Sequence, residues 1–381
     1  MYHLLIAIHV LLAITSCSAM NKFIDIRPNI ITTIAVKKPK QAAFLTNNLV
    51  IINHRNGCGI FDLHTHKEVK KITDIECEHF AIHPHNQIIA ISRQDGVTLY
   101  NIKTGTNIDH INNHFYPHPI ISTSFSPLTK NIIIRYEYQN EIIDYDYANK
   151  TSYSWQHTHN TTMGPPKITF HPTQPYICFG HGCTPNSHID IFDYKAQHKN
   201  PYNKTVQKLH TEHINFCEWS PNGSFFAHGN QYNVNVIQDP LDWYMHITKL
   251  SIEKDDEQFV KIKFHPNSFF IATLSSPNHI VCYWDVTTYE PMSCLSLLFA
   301  DTICSAPKNS DLAFSDDGKK LIVTLNNKCV ILPVPFELIY QPEAKELLPY
   351  FLFILKNYQQ MRLPQDIIRE LIYTVLETFK R

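Results

Sequence analysis

The stretch FHPNSFFIATLSSPNHIVCYWD, residues 264–285, decides the fold. It holds an aromatic residue, a His-Pro step, an apolar run (Ile271-Ala272-Thr273-Leu274), and a second run that ends in the aromatic-Asp pair Trp284-Asp285. The same phrase begins seven times, at Phe44, Ile82, Phe125, Phe170, Trp219, Phe264 and Phe314, with spacings of 38, 43, 45, 49, 45 and 50 residues. Its third run closes on Phe61-Asp62, Tyr100-Asn101, Tyr145-Asp146 and Phe192-Asp193 in other copies. A period near 45 holding several short β-runs predicts one antiparallel sheet per repeat, because so small a sheet buries both faces only between neighbours in a ring. The expected fold is all-β, a seven-bladed propeller of four-stranded blades, followed by a short helical segment.

The turn chemistry agrees with that reading. Proline after the first strand of a unit removes no ladder hydrogen bond and fixes φ for a turn. Asn222-Gly223 and Asp317-Gly318 offer positive-φ positions and are expected to form two-residue hairpins.

These residues resemble the WD-repeat family over roughly residues 22 to 340. His210 stands nine residues before Trp219, where the family carries a Gly-His dipeptide, with Leu209 in place of the Gly. Trp284-Asp285 is similar to the pair that names the family, and the second unit carries Asp95-Gly96, Tyr100 and a closing Thr104-Gly105 turn. The resemblance implies a buried relay of His, turn Asp and Trp within each blade. Only fragments of it survive here, so Phe, Tyr, Ile and Val packing is expected to carry blade stability. Periplasmic Tol-type propellers and lactonase-like seven-bladed enzymes use a similar repeat, and a shared fold does not fix function.

The two ends differ from the middle. Residues 1–19 carry an apolar stretch, Leu4 to Ile14, of signal-peptide length, followed by Cys17-Ser18-Ala19. Cleavage after Ala19 is one expectation, and a lipoprotein box with a lipid anchor on Cys17 is the other; a buried first strand is the bland alternative. The propeller is expected over 22–341 and a helical tail over 343–381. In the tail, Leu347, Leu348, Phe351, Leu352 and Leu355 form one apolar stripe, and Leu363-Pro364 opens a second amphipathic helix. The string LPQDIIRELIYTVL resembles the opening of an F-box through Leu363, Pro364, Asp366, Ile367, Ile368 and Leu371. That likeness implies docking onto a Skp-type adaptor of a cullin ubiquitin ligase; helices packed on the propeller rim are the structural alternative.

Composition narrows the function. In 381 residues one propeller and two end segments leave no room for a separate catalytic domain. The net charge is −1 with no basic block, which argues against nucleic-acid binding. No Gly-x-Ser-x-Gly elbow, Walker loop, dinucleotide glycine series or His-Glu-x-x-His helix is present. The pairs His64/His66, His83/His85 and His157/His159 could grip zinc from a strand, yet no third ligand is assignable and no metal or other cofactor is expected. Of ten cysteines, Cys178, Cys217 and Cys282 sit in apolar strand patterns and read as buried thiols, with Cys178/Cys183 the close pair to test. Four Asn-x-Ser/Thr triplets, at Asn149, Asn160, Asn203 and Asn222, carry no weight in so Asn-rich a chain.

The expected function is that of a non-enzymatic scaffold binding a protein or peptide on loops held by a rigid ring. The long segments Lys195 to His210 and Thr287 to Asp311 are the expected carriers of specificity. Its sharper form is an exported bacterial effector that recruits a ubiquitin-ligase adaptor through the tail. The rival is an exported lactonase-like hydrolase or a Tol-type periplasmic scaffold, and the lining of the central channel is the discriminator.

Overall fold

A computed structural model describes residues 30–335 except 86, 113–119, 137–140, 157–167, 182–187, 195–206, 211–213, 242–245, 251–257, 277–278, 290, 298–309 and 326. Twenty-eight strands fall within the compact unit Phe23–Pro333 and form seven four-stranded antiparallel sheets. Blade 1 is β2 (Pro39–Phe44), β3 (Leu49–His54), β4 (Gly57–Asp62) and β5 (Lys67–Thr73). Blade 2 is β6 (His79–Ile82), β7 (Ile88–Arg93), β8 (Gly96–Asn101) and β9 (Thr106–Asn112); blade 3 is β10 (Ile120–Phe125), β11 (Asn131–Tyr136), β12 (Glu141–Asp146) and β13 (Thr151–Gln156). Blade 4 is β14 (Ile168–Phe170), β15 (Tyr176–His181), β16 (His188–Asp193) and β17 (Gln207–His210); blade 5 is β18 (Phe216–Trp219), β19 (Phe225–Gly229), β20 (Val234–Gln238) and β21 (His246–Leu250). Blade 6 is β22 (Gln258–Phe264), β23 (Phe270–Ser276), β24 (Ile280–Asp285) and β25 (Pro291–Ser296). Blade 7 joins β26 (Leu312–Phe314), β27 (Lys320–Leu325) and β28 (Lys328–Pro333) to β1 (Thr32–Ala35).

All seven repeat starts are the last residue of an innermost strand, and the five quoted aromatic-Asp or aromatic-Asn pairs each end a third strand. The seventh blade closes by chain exchange: β1 runs antiparallel to β28 from Thr32↔Ile331 to Ala35↔Lys328. Ile34 of β1 is 1% exposed, packed with Ile322 and Ile331 of blade 7 and with Val50 and Ile52 of blade 1. The first strand therefore ties the two ends of the ring together.

The second strands show why a ring is required. Along β3, Val50 and Ile52 face the blade 7 cluster while Ile51, between them, faces the blade 2 cluster with Ile89 and Ile91. Successive side chains of a strand point to opposite faces, so a sheet buried on both faces reads as a continuous apolar run. Further clusters of the same kind join blades 2 and 3, 3 and 4, 4 and 5, and 5 and 6. The Phe270 and Phe314 rings meet edge-on, centroids 5.9 Å apart, between blades 6 and 7.

The turns correct one expectation. Residues 220–224 and 315–319 form five-residue loops, in which Gly223 N–H donates to the Ser220 carbonyl (2.8 Å) and Gly318 N–H to that of Ser315 (2.9 Å). Positive φ is present, 79° at Gly223 and 68° at Gly318, but inside an i to i+3 turn whose fourth residue is the glycine. Two-residue hairpins occur instead between the second and third strands, at residues 55–56 and 94–95.

The signal-like segment, Cys17, and the F-box-like residues Leu363, Pro364, Asp366, Ile367, Ile368 and Leu371 lie outside the described residues. So do His157, His159 and Cys183.

Candidate functional site

The innermost strands β2, β6, β10, β14, β18, β22 and β26 follow one another round the axis and wall the central channel. Equivalent positions on these strands form layers. One residue before each strand end stand Ala43, Ala81, Ser124, Thr169, Glu218, Lys263 and Ala313. Five of the seven are small, so one layer of the wall is neutral apart from a single charged pair, Lys263 Nζ to Glu218 Oε1 at 2.7 Å. Two strand positions deeper, Lys261 Nζ lies 2.7 Å from Asp311 Oδ1. At the end of the wall where β2 begins, Lys40 Nζ meets Glu76 at 3.0 Å and Glu78 at 3.3 Å.

The charged side chains of this lining shift one another's titration. Burial raises the Glu218 carboxyl above its usual range against the pull of Lys263 and Lys261. Burial pulls Lys261 down, but the Asp311 and Glu218 carboxylates outweigh it, and the ammonium ends above its ordinary value. Glu218, Asp311, Glu76 and Glu78 each hold a lysine ammonium of the wall. Among the described residues no group of three His, Cys, Asp or Glu side chains could hold a metal ion.

The histidine pairs take other work. His66, with φ 59°, occupies the turn position of Gly105 (φ 77°), Lys150 (φ 56°) and Tyr289 (φ 62°), and its Nε2 lies 2.6 Å from Thr32 Oγ1 of the closing strand. His64 is exposed, and its N–H donates to Asp62 Oδ1 (2.9 Å). His83 accepts the His85 N–H at Nδ1 (3.1 Å) and donates to the Thr129 carbonyl of blade 3. His171 and His265, at the same step of blades 4 and 6, reach the carbonyls of Gly223 and Gly318, the latter at 2.9 Å. A Cβ on either glycine would run into the incoming imidazole, so these positions need both the φ and the space. The sequence shows the His-Pro step but not its target, which lies in the next blade.

The repeat residues sort by role. Asp62 Oδ1 accepts the N–H groups of His64 and Thr65, and Asp285 Oδ1 those of Thr287 and Thr288 (2.7 and 3.0 Å), so these aspartates cap the turn into the fourth strand. Trp284 Nε1 donates to Thr273 Oγ1 on the neighbouring β23 at 2.9 Å, a buried bond inside blade 6. Asp95 faces solvent and pairs with Arg93 (3.2 Å) across its hairpin rather than entering a buried relay. Gly96 starts β8 with φ 144°. Phe61 and Phe192 are core residues, Phe192 meeting Phe179 edge-on at 5.6 Å. Trp219 packs between blades 4 and 5, its ring 4.6 Å from that of His171. Asp193 ends β16, and His210 ends β17, its backbone opposite His188.

Two expectations need correction. The segments Lys195 to His210 and Thr287 to Asp311 are not simple insertions, since each contains its blade's fourth strand, β17 and β25. Outer strands face solvent on one side and lose the apolar signature, so sequence reading folds them into loops. Cys282 is not a thiol: it lies directly opposite Cys294 across β24 and β25 and is disulfide-bonded to it. Cys178 is a buried thiol as expected.

No family model matches the sequence, and no curated protein does. Solved structures do match in fold. The β-propeller domain of Cps50 (Swd1) from Myceliophteria thermophila superposes with a TM-score of 0.66 at 12% identity, covering 81% of this chain and 100% of that one. The hydrazine synthase of Kuenenia stuttgartiensis gives 0.62 at 12% identity, covering 78% and 96%. At such identity the likeness speaks for architecture alone, and with the strand order above it makes the chain a seven-bladed β-propeller of four-stranded antiparallel blades.

Proposed function

We propose that this propeller is a non-enzymatic WD-type scaffold that binds a protein or peptide through loops on its faces. The observation that carries the reading is the channel wall, whose carboxylates are held in lysine ion pairs and one layer of which is small and neutral apart from the Glu218–Lys263 pair. A hydrolase built on this fold would instead converge titratable groups on one mouth. Rigid blades with interchangeable loops favour recognition without chemistry.

The finer reading adds export and a ubiquitin-ligase adaptor, and both rest on sequence. The apolar run Leu4 to Ile14 supports export, and the Cys282–Cys294 bridge is in keeping with an oxidising compartment. The resemblance of Leu363 to Leu376 to an F-box supports adaptor docking.

The test replaces residues 195–206 or 298–309 by short Gly-Ser turns and measures capture of partners from a eukaryotic lysate, beside the chain truncated after Pro342. Loss of capture with unchanged thermal unfolding supports the scaffold. Undiminished capture by both loop variants, or turnover of lactone or ester substrates by the intact chain, would overturn it. Adaptor and cullin recovered only with the intact tail support the finer reading, and equal recovery by the truncated chain removes it.

A further inference from the structure

The propeller brings cysteines together in pairs at places where the sequence keeps them apart. Cys58, on β4 of blade 1, and Cys77, on the connection into blade 2, share one buried apolar cluster, both 0% exposed. Asn53 sits directly opposite Cys58 in the β3–β4 ladder and grips Cys77 at both ends. Its Nδ2 donates to the Cys77 carbonyl (3.0 Å), and Cys77 Sγ donates to its Oδ1 (2.9 Å). The second pair spans blades 4 and 5: Cys178 on β15, fully buried, and Cys217 on β18, packed against the same cluster. In both pairs the two sulfurs lie within hydrogen-bonding reach of each other. A third pair, Cys282 and Cys294, is bridged within blade 6.

We infer that Cys58–Cys77 and Cys178–Cys217 are two further disulfide sites, which cross-link blade 1 to blade 2 and blade 4 to blade 5. The inference stands apart from the binding role above. Cys217 is the more accessible member of its pair, half-buried on a channel strand, whereas Cys58 and Cys77 are both fully buried. The chemistry is thiol–disulfide exchange with a small-molecule disulfide such as oxidised glutathione. The Cys217 thiolate attacks one glutathione sulfur, the glutathione S–S bond breaks, and one glutathione thiolate leaves with the electron pair. Cys178 then loses its proton, attacks Cys217 Sγ and expels the second glutathione thiolate. Two protein thiols are oxidised, and one glutathione disulfide is reduced to two thiols. In the other pair the Cys77 thiolate attacks a glutathione disulfide and releases one glutathione thiolate, and Cys58 then loses its proton, attacks Cys77 Sγ and expels the second.

The experiment uses the full chain incubated with oxidised glutathione, then denatured, alkylated and mapped by mass spectrometry without reduction. Linked peptides Cys58–Cys77 and Cys178–Cys217 are expected, with Cys329 alkylated as an internal control, since its core cluster holds no other cysteine. The thermal midpoint should rise by about 5–10 °C over the partly reduced protein. Cys77→Ser should remove the first link alone and Cys217→Ser the second alone. Full alkylation of all four residues overturns the inference, as does a Cys178–Cys183 link in place of Cys178–Cys217 or an unmoved midpoint. The wild-type map decides the matter even where a serine variant fails to fold.

Discussion

Lowering the pH from 7 to 5 should destabilise the propeller chiefly through His228. This residue lies on β19, opposite Cys217 and Asn235 in the neighbouring strands, with 3% of its surface exposed and the Phe226 ring 6.0 Å away. Burial alone lowers its imidazole from 6.5 to about 4. The unfolded chain then binds the proton more readily than the folded one, so stability is full above pH 6.5 and is lost as pH falls toward 4. At pH 5 the linkage amounts to about 2 kcal/mol, out of a limit of about 3.4 kcal/mol for a shift of that size. With a urea slope of about 3 kcal/mol per molar, the unfolding midpoint should drop by about 0.6 M between pH 7 and 5 from this residue alone. His228→Gln lowers stability at pH 7 by disturbing the core, but it should flatten the pH dependence by that same amount. Urea titrations of both proteins at pH 7, 6 and 5 measure the difference in slope. Parallel loss of stability in wild type and variant would refute the argument, since the proton would then be entering elsewhere.

Three other changes probe the frame. Ile34→Ala opens a void between the closing strand and its neighbours and should cost about 2–4 kcal/mol in thermal or urea unfolding. Gly96→Val places a Cβ against the Ile111 carbonyl at φ 144° and should cost about 2 kcal/mol, whereas Asp95→Ala, one residue away on an exposed ion pair, should stay within about 0.5 kcal/mol. Trp284→Phe removes the bond to Thr273 Oγ1 inside the blade and should lower stability by about 1–2 kcal/mol; the pairing Trp284→Phe with Thr273→Val should cost less than the two singles added, and strict additivity would show that the bond contributes nothing.

What the sequence discloses follows from which strands are buried on both faces. The second and third strands of each blade are packed between neighbours, so runs such as Ile132-Ile133-Ile134 and Leu321-Ile322-Val323 stand out, and their ends are marked by the aromatic-Asp turn. The outer strands escape notice because they face water: β5, KEVKKIT, has no fully buried residue. The closing strand TTIA carries too little signal, and its partner lies about three hundred residues further on, at Lys328–Pro333. The Cys282–Cys294 bridge was hidden because the β24–β25 ladder shifts register between Tyr283 and Trp284, so counting alternate residues does not bring the two sulfurs opposite. The channel was least legible of all, since Glu218, Lys261, Lys263 and Asp311 come from three blades and carry no motif.

Polar contacts also tie each blade of this propeller to the next. Gln41 makes two 3.0 Å hydrogen bonds to the Phe80 backbone, joining blades 1 and 2. His83 reaches blade 3, and Tyr194 of blade 4 donates to the fully buried Asp144 of blade 3 at 2.9 Å. His171 reaches blade 5, the Asn222 N–H donates to Ser268 Oγ of blade 6 (3.1 Å), His265 reaches blade 7, and Lys320 Nζ donates to the Asn47 carbonyl of blade 1 (2.7 Å). Every interface of the ring thus has a directional contact in addition to its apolar core, which fixes the rotation of each blade where packing alone would tolerate small slips. Three of the seven contacts depend on a neutral imidazole that accepts an N–H at Nδ1 while donating at Nε2, and burial lowers the pKa of all three rings. A proton on Nδ1 would turn that acceptor against its own donor. Acid should therefore loosen the interfaces 2–3, 4–5 and 6–7 before the others, and amide exchange at pH 5 should rise first in the turns that follow Phe125, Trp219 and Phe314. Uniform loss of protection round the ring would show that these histidines do not set the order.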